Sequence, residues 1–365
     1  ARYWQRPDAD HVELDPTRTN IMGWRGSFSA GRRGGDHWRG SVLMQAQSPG
    51  FEANDLGFET RVDSWDMSAA VQYRDMVPDE RTRFYQVDLL GGFERNFAGD
   101  LVGANMFLGS VQQWSNFWMS STAFSAHAET DNDRLTRGGP LARHPAGLNV
   151  SQWISTDQRK SYSLNLNATY ARNNKGGWGV FPSVGLTVRP SSAMEVSLSP
   201  SYQRTHAVAQ YVGAISDETA DRTFGARYVF SDLDQTTLSV DTRISWTFTP
   251  HLSLQLFVQP FLASGDYSGF KELHEPARWD WDVYGQEVGT IAEAEGVYTI
   301  DPDDDGPGAA FGLRNPDFNM RSLRGNAVLR WEYRPGSTLY LVWQQRRFGY
   351  EPFGQFDLTD DATAL

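Results

Sequence analysis

The run Asp301-Pro302-Asp303-Asp304-Asp305-Gly306 places carboxylates at its first, third and fifth positions and glycine at its sixth. That is how a calcium loop begins, because a hard cation takes several oxygens and glycine permits the sharp turn. Asp301, Asp303 and Asp305 are therefore candidate calcium ligands. The twelfth position is Gly312 rather than a bidentate glutamate, and Pro302 and Pro307 are unusual in such a loop, so a solvated acidic loop is the competing expectation. Upstream, Asp280, Asp282 and Glu287 stand among Trp279, Trp281 and Tyr284. Paired carboxylates beside stacking aromatics are what a glycosidase needs, and an interfacial loop over an opening explains the same residues. There are seven histidines, among them His127, His144, His206 and His251, and a hydrolase would need one beside a nucleophile. No nucleophile-elbow motif accompanies them. The expectation is a non-enzymatic chain with no cofactor beyond calcium, and a hydrolase as a further alternative.

Bulk properties narrow the class. Lysine and arginine number 33 against 45 acids, a net charge of −12, and no long basic run occurs, so nucleic acid is not an expected partner. Cysteine is absent, which removes thiol chemistry and disulfides and is compatible with an oxidising periplasmic route. No stretch approaches the roughly 18 apolar residues of a membrane-spanning helix, and no signal segment opens the chain. Aromatics nevertheless make up 13% of residues while mean hydropathy is negative, as when apolar and polar residues alternate rather than pool.

The elements that must carry these residues are strands. From Thr237 to Phe248, Leu238, Val240, Thr242, Ile244, Trp246 and Phe248 share one face, and Ser239, Asp241, Arg243, Ser245 and Thr247 the other. After Thr249-Pro250-His251 the alternation resumes with Leu252, Leu254, Leu256 and Val258. The same grammar predicts about fourteen strands, near 20–31, 37–48, 60–75, 83–95, 100–113, 117–128, 146–156, 160–172, 178–189, 193–212, 222–248, 251–264, 319–334 and 337–348. Connections alternate between short ones (77–80, 157–159, 190–192 and Pro250) and long ones (49–59, 129–145, 206–222 and 265–318).

Strands of about a dozen residues exceed the usual five or six of soluble sheets. A charged face bearing Asp241 and Arg243 suits a water-filled lumen, not the dry core of a soluble propeller or sandwich. The predicted fold is thus all-β: a transmembrane, antiparallel, up-and-down barrel, one domain over residues 1–365, with 265–318 as a long extracellular loop. Asp241, Arg243, Arg324, Arg330 and Glu332 are the lumen-facing candidates, able to bias a permeant through their field or to fill the lumen as salt bridges. Arg137-Gly138-Gly139-Pro140 is expected to fold a long loop into the lumen.

Several stretches carry a resemblance. They are Gln5-Arg6-Pro7-Asp8-Ala9-Asp10, Ser48-Pro49-Gly50-Phe51-Glu52 with Asn54-Asp55-Leu56-Gly57-Phe58, Leu135-Thr136-Arg137-Gly138-Gly139-Pro140, Asn315-Pro316-Asp317-Phe318-Asn319, Arg321-Ser322-Leu323-Arg324-Gly325-Asn326, and the segment from Leu329 to Ser337. Over nearly its whole length the chain resembles an uncharacterised family of bacterial outer-membrane proteins that join a family-nine-type carbohydrate-binding module to a membrane barrel. The resemblance implies an outer-membrane location, lipid and lipopolysaccharide around the wall, and carbohydrate or another small solute as cargo. It also implies that this chain is the barrel part alone, incomplete at both ends, of a barrel of about sixteen or more strands. The functional expectation is solute uptake or surface binding; the alternative is a plugged barrel anchoring protein partners.

Overall fold

The computed structural model describes residues 6–12, 17, 19–53 and 61–363. Gln5 and the Asn54–Phe58 stretch lie outside the described residues. In chain order the strands are β1 (Arg25–Arg32), β2 (Trp38–Gln47), β3 (Ser64–Asp75), β4 (Thr82–Arg95), β5 (Leu101–Trp114), β6 (Met119–His127), β7 (Thr130–Asn132), β8 (Ala142–His144), β9 (Gly147–Ser155), β10 (Tyr162–Asn173) and β11 (Trp178–Val180). They continue with β12 (Ser183–Ser191), β13 (Met194–Ser216), β14 (Ala226–Thr249), β15 (Leu252–Leu273), β16 (Trp281–Val283), β17 (Thr290–Ala294), β18 (Val297–Asp301), β19 (Phe311–Arg314), β20 (Phe318–Arg334) and β21 (Ser337–Glu351). The single α-helix among the described residues is α1 (Leu358–Thr363).

One antiparallel sheet organises the chain, its neighbours running β1, β2, β3, β4, β5, β6, β9, β10, β11, β13, β14, β15, β20, β21. β11 and β12 both lie between β10 and β13 and are halves of one strand interrupted at Phe181-Pro182, where proline removes a ladder donor. Every strand of this path therefore pairs with the next one in the meander. Tight connections at 76–81, 115–118, 156–161, 192–193, 250–251 and 335–336 share one end of the sheet. The long connections 48–63, 128–146 and 274–317 share the other. At the last hairpin Gly336 adopts φ 77°, the left-handed conformation a tight turn requires.

Several boundaries differ from the sequence reading, two of them with consequences for the long connections. β13 continues to Ser216 and β15 to Leu273, so the connections expected at 206–222 and 265–318 shrink to 217–225 and 274–317, and the latter contains β16 to β19. The reason is visible in β14, where Tyr228, Val229 and Phe230 are buried in succession. A strand covered on both faces has no alternation to read.

Those upper ends hold the molecule's core. Val229 and Phe270 pack with Tyr284 and Ile300, against which the small sheet β17-β18-β19 lays Ile291, Tyr298 and Phe311. Tyr228, Phe230 and Leu273 pack on Leu135, Tyr211 and Trp281. Layers on both sides thus hold three tall strands upright beyond the rest of the sheet. Phe230, fully buried and 4.8 Å from the Trp281 ring, anchors the second cluster. Replacing it in F230A should cost about 3–5 kcal/mol, read as an earlier urea transition of the tryptophan fluorescence with strand content retained.

Candidate functional site

Register divides the sheet into two chemically distinct faces. Val71, Leu89, Leu108, Phe124, Val150, Tyr170 and Val180 are successive partners from β3 to β11. Tyr162, Val188, Val196, Ile244, Leu256, Ala327 and Trp343 continue that face from β10 to β21. None of these side chains is buried, and Leu89 is 47% exposed, Leu108 45% and Phe124 50%. One residue along, the opposite face reads Ser163, Thr187, Ser197, Arg243, Phe257, Asn326 and Gln344. A one-residue slip in any pair would exchange the two faces.

All five lumen candidates fall on the polar face. Asp241 accepts a 2.7 Å hydrogen bond from the Gln259 amide, and the Arg243 guanidinium lies 4.6 Å from the centre of the Phe257 ring. Arg330 and Glu332 form an ion pair at 3.5 Å, with His251 3.6 Å from Glu332 at the neighbouring turn. Arg324 sits opposite Gln259 on one side and Arg346 on the other. Arg346 was missed by the sequence reading: the register shifts between Glu332 and Arg334, so counting back from the Pro335-Gly336 turn would have paired Arg324 with Arg347 instead.

At the long-loop end, connection 128–146 reaches several separate parts of the chain. The Leu141 N–H donates to Asp8 at 2.7 Å, and its carbonyl accepts from Ala277 at 2.8 Å. Arg61 holds Asp133 with two hydrogen bonds of 3.2 and 2.7 Å. Arg137 lies 4.6 Å over the Tyr211 ring of β13. Gly139 abuts Tyr228 so closely that a Cβ would fall 2.2 Å from its ring, which explains the glycine. Thr136, Pro140 and Ala142 are fully buried. The expected infolding of 137–140 is thus a packed segment, tied to the N-terminal residues, to connection 48–63, to β13 and β14 and to connection 274–317.

The remaining candidates disperse. His127 and His144 come together, ring centres 5.1 Å apart, and burial and then His127 hold the His144 imidazole below its usual range. His206 meets Asp234 at 3.1 Å, and no described histidine is recorded with a serine hydroxyl. Asp282 pairs with His274 at 2.8 Å, while Glu287 accepts from the Val283 N–H at 3.1 Å, so these carboxylates serve different local partners. Asp303 accepts from the Gly308 N–H at 2.9 Å. Among the described residues no three acidic or histidine side chains converge as a metal site, Asp301, Asp303 and Asp305 included.

Sequence reasoning missed the buried ionic network of the tall strands. Arg227 bonds Asp217 and Glu272, each at 2.6 Å, and the Tyr284 hydroxyl donates to Glu272 at 2.9 Å. Burial pushes the Glu272 carboxyl up, and burial with the adjacent Glu272 pushes the Tyr284 phenol up. Asp217 is held down at about 2 by Thr219 and by Arg227. The segments holding Asp217 and Glu272 read as loop, so nothing in the alternation marked them.

A family model described as a domain of unknown function, DUF5916, matches residues 8–363. No curated protein and no solved structure matches the chain.

A depressed carboxyl stabilises the fold above its unfolded value, near 3.8, and that contribution is lost as pH falls through about 2. Acidification from pH 5 to 2 should therefore loosen the upper strands, seen as faster amide exchange around 217–230. Asp217→Asn should loosen them already at pH 7 and flatten that acid dependence.

Proposed function

The chain belongs to the DUF5916 family, and from that premise we propose that it forms the wall of a bacterial outer-membrane β-barrel for solute uptake or surface binding, with carbohydrate as the cargo class the sequence resemblance implies. One observation carries the reading: a continuous band of apolar side chains, none buried and many exposed, on one face of long strands, with a polar, charge-bearing face behind it. Leaving such a band in water is unfavourable by about 25 cal/mol per Å². Lipid removes that cost. On β14 the band runs from Leu238 to Phe248, and ten steps of about 3.3 Å tilted near 40° span about 25 Å, the height of the apolar belt of outer-membrane barrels.

A wall in hydrocarbon leaves no open edge, so β1 and β21 are to be closed by further strands, in a barrel of about sixteen or more. The polar face then lines the lumen. Short turns lie on the periplasmic side and the long connections outside, with lipid and lipopolysaccharide around the wall. A second reading, a plugged barrel that anchors partner proteins, is favoured by connection 128–146, whose ties to four other parts of the chain suit an obstruction of the mouth.

Two experiments decide between water and lipid, and between open and plugged. Leu108→Arg and Leu166→Arg should each cost about 2–4 kcal/mol in vesicle-reconstituted chain if these residues face the bilayer midplane; near-neutral effects would place the face in water. Deleting 133–141 should raise single-channel conductance in planar bilayers at least severalfold if the segment obstructs the mouth. Equal conductance before and after deletion excludes the plug.

A further inference from the structure

The polar face carries an imbalance that the net charge of −12 conceals. Two of its carboxylates are engaged by amides: Asp88 accepts from Gln72 and Gln86, both at 2.7 Å, and Asp241 from Gln259. On β20 Arg330 is also engaged, by Glu332, and Arg321, on the opposite parity, by Glu351 and Asp361. Arg324 and Arg346 differ. They are direct cross-strand partners, and neither forms an ion pair among the described residues. Like charges directly opposite on a ladder repel, with Cβ atoms about 5 Å apart. A counter-anion between them turns that repulsion into attraction.

The surroundings suit one. The next rung on the same face is Asn326 opposite Gln344, two amides with N–H donors, and these four side chains line a groove of about 480 Å³. Gln259 separates Arg324 from Asp241, so the groove itself carries no carboxylate. Phe257 flanks Asn326 on the lower rung, and Phe348, opposite Ser322, lies on the rung above. Paired guanidinium forks grip an oxyanion in two-point fashion, which a lysine pair would not reproduce.

We infer that Arg324 and Arg346, with Asn326 and Gln344, form a binding site for a small solute bearing an oxyanion, a carboxylate or a phosphate. The inference rests on the proposed barrel for its meaning as a lumen subsite, where the same charges would draw anions inward. The binding itself is measurable without transport.

The test is calorimetric titration of the full detergent-purified chain with inorganic phosphate and with acetate, and with glucose as the neutral control. Saturable heat is expected from at least one anion and none from glucose; which anion responds distinguishes phosphate from carboxylate. R324Q/R346Q should weaken binding at least tenfold. R324K/R346K keeps both charges without the planar forks and should fall between the two, with native strand content by circular dichroism as the check on folding. No heat from either anion, or equal affinity in the native chain and in the folded double variants, overturns the inference. Failure of the arginine substitutions at Leu108 and Leu166 to destabilise would instead overturn the membrane reading and leave this result standing.

Discussion

Antiparallel pairing couples every strand's choice of face to that of its neighbour, because partners across a rung project to the same side and side chains alternate with period two. Once Tyr162 is set opposite Val188, the ladder carries the same parity through Val196, Ile244, Leu256, Ala327 and Trp343. The polar face follows with no further specification. Two irregularities show how tightly this is kept. The break at Phe181-Pro182 divides one strand without changing its neighbours, and the register shifts in β13 fall between Ala207 and Gly213, above the apolar band.

Above that band the physics changes. There β13, β14 and β15 are covered on both sides, and stability comes from a core rather than from parity. Burying Arg227, Glu272 and Asp217 among apolar neighbours is unfavourable unless each charge keeps its partners, and the geometry supplies them. The network also fixes which strand heights meet: Arg227 of β14 reaches Glu272 of β15 only when both strands stand upright, and Tyr284 then bolts connection 274–317 to them. Polar specificity and apolar packing therefore act on the same three strands.

The lower wall was legible because alternation is a local signal. Leu238 to Phe248 and Leu252 to Val258 declare their faces within a dozen residues, and parity alone puts Asp241 with Arg243, and Arg324 with Arg330 and Glu332, on one face of their strands. The upper structure was not legible for the opposite reason. Tyr228-Val229-Phe230 lacks alternation, and Gly265–Leu273 reads as loop because it carries two glycines and places its apolar residues Tyr267, Phe270 and Leu273 three apart rather than two. Asp301, Asp303 and Asp305 illustrate a third case. Their spacing matches a ligand loop, but the backbone directs Asp303 to the Gly308 N–H, and convergence is a property of conformation rather than of spacing. Arg346 fell between these cases, on a strand that was recognised but whose partner residue needed the hairpin register.

Connection 128–146 links the two regimes. Its outer parts are held by charge, Arg61 on Asp133 and Arg143 on Glu129 and Asp131, whereas its centre is held by close packing of Gly139 on Tyr228 and burial of Pro140 and Ala142. These pairs are only partly buried, so salt weakens them. Packed apolar contacts respond weakly to salt and break together. A segment with charged ends and a packed centre therefore has its ends released before its middle, and the middle depends on the same tall strands that Arg227 and Glu272 hold in place. Any motion of this segment is thus coupled to the integrity of the β13–β15 core, not to the apolar band beneath it.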